Sequence, residues 1–443
     1  MTQQTRTRTP VIIDTDPGVD DTVAILMAMA SPEIEILAFV VTFGNTDLEA
    51  SYANIFKIYQ AIGREIEHDP SAAARFPNYT QKAKPIIVKG PRGPLSGDQH
   101  SAKYFHGRDG LGNAYEHHPD LNVPDSVLNS SEHPKLKPVS ESAVDVALDL
   151  LRARAPREVT YIVLGPMTNL ALMTRADPVC VRERIGRVVV MGGSLDVPGN
   201  VSSVAEFNWY ADPYAAAELL TPDPSGLPHR GLPLSRVLIL PLDITTAHEL
   251  PFPVYTQHVD PTFSPDTPSS PSGKAPMRHF SSAFLRRTRE IMKTFGKDAL
   301  DLHDITAVWA AMMTPPVKDA ADKVDLELPH GWQVTRRRFL IERTGEHTRG
   351  MCVVDRRNDH MAYAPGENRA AMQAALIKAS EDAQREEFGS LTLESTVVPV
   401  PVEVETTPEP ELQGEGIPIV TKTPGPDVLL GLLFERVWGV SLR

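Results

Sequence analysis

From Val11 onward the chain repeats one unit: a short β-branched run, a polar turn, then apolar residues at helical spacing. Strands that alternate with helices in this way pair in parallel, because each crossover returns the chain to the same end of the sheet. The expected architecture is therefore α/β, a mostly parallel, Rossmann-like open sheet flanked by helices. The pattern predicts strands at 10–14, 36–43, 85–89, 159–164, 187–191 and 237–242. It predicts helices near 20–30, 47–62, 140–155, 168–175, 212–220, 278–296, 304–313 and 366–387. No internal repeat interrupts the series.

Segments 113–138, 221–235 and 251–276 are rich in Pro, Ser, His and Asp and carry no periodicity, as expected of surface insertions. The stretch 397–426 mixes proline with acidic residues and is expected to be extended or disordered, ahead of an apolar segment, VLLGLLFERVWGV, expected to pack back on the body. With 443 residues the chain can bury a large core without disulfide staples, and it holds only Cys180 and Cys352, which suits a reducing compartment. A balance of 44 basic to 57 acidic residues, net -13, excludes the basic footprint of a nucleic-acid binder. The N-terminus lacks a secretory apolar stretch and no run reaches the roughly 20 apolar residues of a membrane helix, so no membrane association and a cytoplasmic location are expected. The sequons at Asn78, Asn129 and Asn200 are then chance matches.

The segment VIIDTDPGVDDTVAILMAMA places Asp14, Asp16, Asp20 and Asp21 at the junction of the first strand and first helix. In a doubly wound sheet that junction opens on the ligand crevice. Four carboxylates so close repel one another unless a cation compensates them, and an all-oxygen set favours Ca²⁺ or Mg²⁺ over zinc. One or two of them could simply cap the helix and complement its dipole. An EF-hand is excluded, because the sixth position from Asp14 is Val19 instead of Gly and the twelfth is Ile25 instead of Glu. GPRGPLSG at 90–97 lacks the Gly-Lys-Ser/Thr of a phosphate loop.

The run DTDPGVDD resembles the N-terminal signature of the inosine-uridine preferring nucleoside hydrolase family. VTFGN at 41–45, FHGRDGLG at 105–112, LGPMTNLAL at 164–172, MGGSLDVPGNVSSVAEFNWYADP at 191–213, HDITAVW at 303–309 and TRGMCVVDRR at 348–357 resemble that family's later blocks, in its order. The resemblance spans roughly residues 10 to 360. It implies a nucleoside hydrolase catalytic domain at 10–390 carrying the three insertions, followed by an extension at 391–443. It also implies a homodimer or homotetramer that hydrolyses the N-glycosidic bond of uridine- or inosine-type ribonucleosides in base salvage.

Residue by residue, the resemblance implies that Asp16, Asp21 and Asp304 ligate Ca²⁺ through carboxylates and Leu164 through its backbone carbonyl, with Asp16 also orienting and deprotonating the calcium-bound water. Asp20, Asn45, Met191, Asn200, Glu206 and Asn208 would hold the ribose, with Phe207 in the same block among the substrate contacts. Breaking a ribose–base bond builds positive charge on the sugar, and an acidic, amide-rich pocket suits that charge. His303, beside Asp304 at a helix start, could protonate the departing base; capping the helix or stacking on the base are its plainer roles. His106 is a candidate base contact that could instead only order its loop, and Trp209 and Tyr210 fit either a core or a base-stacking role.

Two further functions compete. A haloacid dehalogenase-type phosphatase also places D-x-D after its first strand, but Pro17 and Gly18 follow here and the further Asp pair has no role in it. A nucleoside-binding protein without catalysis would keep the pocket, yet every expected acidic group is present. The preferred base is not encoded in any motif, since selection lies in the irregular loops.

Overall fold

The computed structural model describes residues 8–221, 233–316, 328–356 and 416–442. Two compact units divide the chain: one joins residues 1–352 with 415–443, and the other comprises 353–414, of which 353–356 are described. The site lies wholly in the first.

The first unit is built on a sheet in which β1 (Thr9–Thr15), β2 (Ile34–Val41), β3 (Ile86–Lys89), β4 (Lys137–Pro138), β5 (Val159–Val163), β6 (Ile185–Met191) and β7 (Val237–Leu240) run parallel. Short strands β8 (Glu249–Pro251) and β9 (Ala299–Asp301) form an antiparallel ribbon apart from it. β10 (Gln333–Arg337), β11 (Leu340–Ile341), β12 (Cys352–Val353) and β13 (Ile417–Lys422) complete the strands. The order across the main sheet is β10-β13-β7-β6-β5-β1-β2-β3-β4, and only the β10 edge is antiparallel. All six expected strands are present. β1, β5 and β6 are buried on both faces, which is why their sequences read as continuous apolar runs instead of alternating ones.

After β1 the chain builds β2 to β4 on one side and then returns to lay β5 on the other. The topological switch point therefore falls between β1 and β5, where a crevice opens at the strands' carboxyl ends. The helix Val19–Met29, buried along nearly its whole length, leaves β1 at this point and packs against the helix His303–Met313. The two acidic motifs thus arrive together from opposite ends of the sequence.

The irregular segments hold more order than their composition suggests. Within 113–138 lie short helical turns at Ala114–His117, Pro119–Leu121 and Asp125–Leu128 and the edge strand β4, and a helix at Phe252–His258 opens the third insertion. Most of the second insertion and the helix expected at 366–387 fall outside the described residues. Within the stretch expected to be extended or disordered, Ile417–Lys422 are extended as a sheet strand: Ile417, Ile419 and Val420 are buried, and β13 inserts between β7 and β10. The proline–acid composition of its surroundings masked a strand. The apolar segment behind it packs into the core through Leu429, Leu433, Phe434, Val437 and Trp438. Both cysteines are buried and unpaired.

Candidate active site

β1 delivers Asp14 and leads directly into Asp16, both fully buried. Asp14 is held by Tyr161 and Asn169, whose hydroxyl and amide donate to it at 3.0 and 2.8 Å; burial pushes it up to about 7 against those donors. Asp16 has one oxygen, Oδ2, accepting the Asn45 backbone N–H at 2.7 Å, and the other, Oδ1, buried without a partner. Gly44 and Gly165 close over this carboxylate: a Cβ on Gly44 would lie 2.0 Å from Oδ2, and one on Gly165 2.5 Å from Oδ1. Only glycine fits there.

Asp21 accepts from the Thr15 hydroxyl at 2.6 Å, the Gly18 N–H at 3.0 Å and the Asn45 side-chain amide at 2.7 Å. It thus does cap its helix, as the plain reading of an acidic first turn holds. It does so while facing two further carboxylates, for oxygens of Asp20, Asp21 and Asp304 lie within 4.8 Å of one another. Asp16 stands beside this trio. Burial first and mutual repulsion second push Asp16 and Asp304 well above the usual carboxylate range and Asp20 to about 8. A site that leaves Asp16 Oδ1 and Asp20 Oδ1 buried and unpaired, beside carboxylates driven to hold protons, is incomplete without a cation. The all-oxygen donor set fits a hard dication.

The second half of the site comes from the loop after β6. Glu206 caps the short helix Phe207–Ala211, its two oxygens accepting the backbone N–H groups of Asn208 (2.7 Å), Gly193 (3.0 Å) and Trp209 (3.2 Å). Burial lifts it to about 7 against the pull of those donors. The helix expected to begin near Asp212 is thereby preceded by another, and Asp212 caps the next one, Pro213–Leu220. Asn208 donates to the carbonyls of Leu164 (2.7 Å) and Met191 (3.2 Å), tying the ends of β5 and β6 together. Asn200 accepts from the Phe207 N–H at 2.9 Å.

A cavity of about 360 Å³ opens over these groups. Asp20, Asn45, His106, Leu164, Met191, Asn200, Glu206, Phe207, Asn208, His303 and Asp304 all line it, whereas Asp16 and Asp21 are fully buried and do not. His303 does not cap its helix; its Nδ1 pairs with Thr245 Oγ1 at 2.8 Å, and burial lowers its pKa. His106 accepts the Val19 N–H through Nδ1 at 3.1 Å, so it caps the acidic helix, and burial holds it neutral down to about pH 3. Trp209 is core, fully buried and stacked on Phe339, while Tyr210 lies against His100. Sequence reasoning missed the cavity's other wall: Tyr104, Phe105, Met292, Phe295, Lys297, Leu300 and Asp301. Phe105 opens the FHGRDGLG block and Tyr104 adjoins it, so both could have been found there; the rest lie from the end of the helix Pro276–Thr294 to β9, ahead of the HD pair, where no spacing marks them.

A sequence model described as inosine-uridine preferring nucleoside hydrolase matches residues 11–388. The chain belongs to that family. Its members are N-ribohydrolases, and the phosphatase alternative loses its support. Family members similar to this chain include an uncharacterized protein of Schizosaccharomyces pombe, 30% identical over 78% of this chain and 88% of the relative. The pyrimidine-specific ribonucleoside hydrolase RihA of Klebsiella pneumoniae is 29% identical with the same coverage. A probable uridine nucleosidase of Arabidopsis thaliana is 32% identical over 48% of this chain and about half, 56%, of the relative. Among solved structures, a plant nucleoside hydrolase shares the fold with a TM-score of 0.61 at 21% identity, covering 98% of this chain and 99% of the other.

Proposed function

We propose that this nucleoside hydrolase is a calcium-dependent enzyme that hydrolyses uridine- or inosine-type ribonucleosides to ribose and free base, working in the cytosol as a homodimer or homotetramer. The supporting observation is the buried carboxylate cluster at the switch point, with unpaired oxygens on Asp16 and Asp20, beneath a cavity sized for a nucleoside. Asp16, Asp21, Asp304 and the Leu164 carbonyl would hold the Ca²⁺, which when bound neutralises the cluster and fixes the sugar hydroxyls and the water against one another.

Asp16, whose Oδ1 is buried without a partner, takes the proton from the attacking water. Asp20 and Asn208 hold the vicinal hydroxyls. Asn200 and Glu206 hold the 5′-hydroxyl, and Asn45 and Met191 complete the ribose contacts. As the bond to the base lengthens, positive charge grows on the ribose ring, and the surrounding carboxylates and carbonyls stabilise it. His303 acts as the acid in its protonated form: Nδ1 donates to Thr245 Oγ1, and the Nε2 proton passes to the departing base, which leaves a neutral imidazole. Phe207 and His106 bound the base side of the cavity.

A panel of nucleosides assayed for reducing sugar tests this reading. Uridine or inosine should release ribose, and 2′-deoxynucleosides and 5′-monophosphates should react far more slowly, because each leaves buried polar groups unpaired or brings phosphate against Glu206. Saturable binding with no free ribose would show a binder instead of an enzyme, and uridine monophosphate turning over as fast as uridine would overturn the ribose placement.

A further inference from the structure

A second cluster of ligating side chains lies away from the carboxylate site. His118 follows the turn Ala114–His117, Asp120 sits in the next turn, Pro119–Leu121, and His279 is in the first turn of the long helix Pro276–Thr294. One ligand atom from each lies within 4.8 Å of the others, and His279 Nε2 is 3.1 Å from Asp120 Oδ2. Two ligands bound at the Zn–N distance of about 2.0–2.1 Å in a tetrahedron stand roughly 3.3 Å apart, so these side chains need little movement to share an ion.

The two imidazoles are almost wholly buried, 2% and 3% exposed, and meet edge to face with ring centres 5.3 Å apart. His118 Nε2 is buried and has no hydrogen-bond partner, a cost that an apolar residue of the same size would avoid. His279 is oriented by its other nitrogen: Nδ1 pairs with Ser269 Oγ at 2.9 Å, which leaves Nε2 for the cluster in the manner of a supported metal ligand. Cations around the cluster are already engaged: Lys274 with Asp260 at 2.7 Å, Arg64 with the Asp120 carbonyl at 2.8 Å and Arg286 with Glu290 at 3.0 Å. Asp120 and His279 also line a small cavity of about 110 Å³, with space for water as a fourth ligand.

We propose that His118, Asp120 and His279 form a binding site for a borderline transition-metal dication, Zn²⁺ by preference, separate from the carboxylate cluster. Two imidazoles and one carboxylate select such an ion over Ca²⁺, whose preferred ligands are all oxygens. The site joins the turn behind the His106 loop to the start of the Pro276–Thr294 helix, whose far end carries Met292 into the main cavity. A bound ion would therefore tie the segment that follows the His106 loop to the helix whose far end reaches the main cavity.

The test is equilibrium dialysis of the chelated full-length protein against Zn²⁺, with excess Ca²⁺ present to fill the carboxylate cluster, followed by elemental analysis. Wild type and the surface control His330→Ala should retain one Zn²⁺ per chain. His118→Ala and His279→Ala should each weaken that binding by at least about tenfold, the effect expected on losing a ligand or its support. Co²⁺ in place of zinc should give the visible absorption of a four-coordinate site in wild type and lose it in both variants. Asp120→Asn, at a half-exposed turn, keeps the fold if the histidine variants do not, and should weaken zinc by a similar factor. No zinc in wild type, or zinc undiminished by Asp120→Asn and by whichever histidine variants fold, overturns the assignment.

Discussion

In the proposed mechanism Asp16 and His303 act on opposite sides of the cleaved bond, and their variants separate their work. Asp16→Asn replaces a carboxylate whose Oδ1 is buried and unpaired, so activity should fall by about 10²–10⁴-fold or more on every substrate. His303→Ala should slow uridine or inosine by about 10²–10⁴-fold yet spare p-nitrophenyl riboside, whose leaving group needs no proton. Equal slowing of both would make His303 a positioning residue. His106 offers a different readout, because its neutral ring accepts the Val19 N–H. Its pKa falls from 6.5 to about 3 on folding, so the unfolded chain binds the extra proton between those values and stability drops as pH falls through that window. His106→Phe lacks both the hydrogen bond and the titration: it should be less stable than wild type by about 1–3 kcal/mol at pH 7, and the two should converge as pH falls from 6.5 toward 3. A gap that stays constant in urea melts across that range would contradict this account. The crowding of Asp14, Asp16, Asp20 and Asp21 was legible because so many neighbouring acids repel one another, whereas Asp304 joined them only through the family resemblance; the capping by His106 was not legible, since its partner is a backbone group 87 positions away.

Among the elements, β13 and the helical segment behind it bear directly on stability. β13 separates β7 from β10, so removing it strips both of a partner and exposes sheet edge. Trp438 packs against Tyr255 and Phe434 and donates to Ser281 Oγ at 3.0 Å. Trp438→Ala should cost about 3–5 kcal/mol, read as a lowered urea midpoint with unchanged slope, although the residue is far from the nucleoside pocket in sequence and role. A midpoint within experimental error of wild type would mean that this helix adds nothing to the core. The same elements show where periodicity failed as a guide. IPIVTK is a six-residue strand between prolines and charges, and a strand buried by its neighbours needs no pattern of its own.

For the molecule as a whole, the buried acidic cluster opposes folding until a cation enters it. Ca²⁺ that binds only the native state should raise stability by about 2.7 kcal/mol at a hundred times its Kd, and the melting temperature should climb with the logarithm of free calcium. A melting temperature unmoved between chelator and millimolar Ca²⁺ would leave the cluster without its proposed ion. The sequence by itself determined the parallel sheet, six of its strands and the acidic and amide blocks, because strand–helix alternation and unpaired charge are local signals that tertiary packing does not override. Only the tertiary structure decided that Asp20 joins Asp21 and Asp304, that Met292 to Asp301 form the facing wall, and that the tail completes the sheet. Each of those depends on residues brought together from distant parts of the chain, where burial and partner geometry act and sequence spacing carries no information.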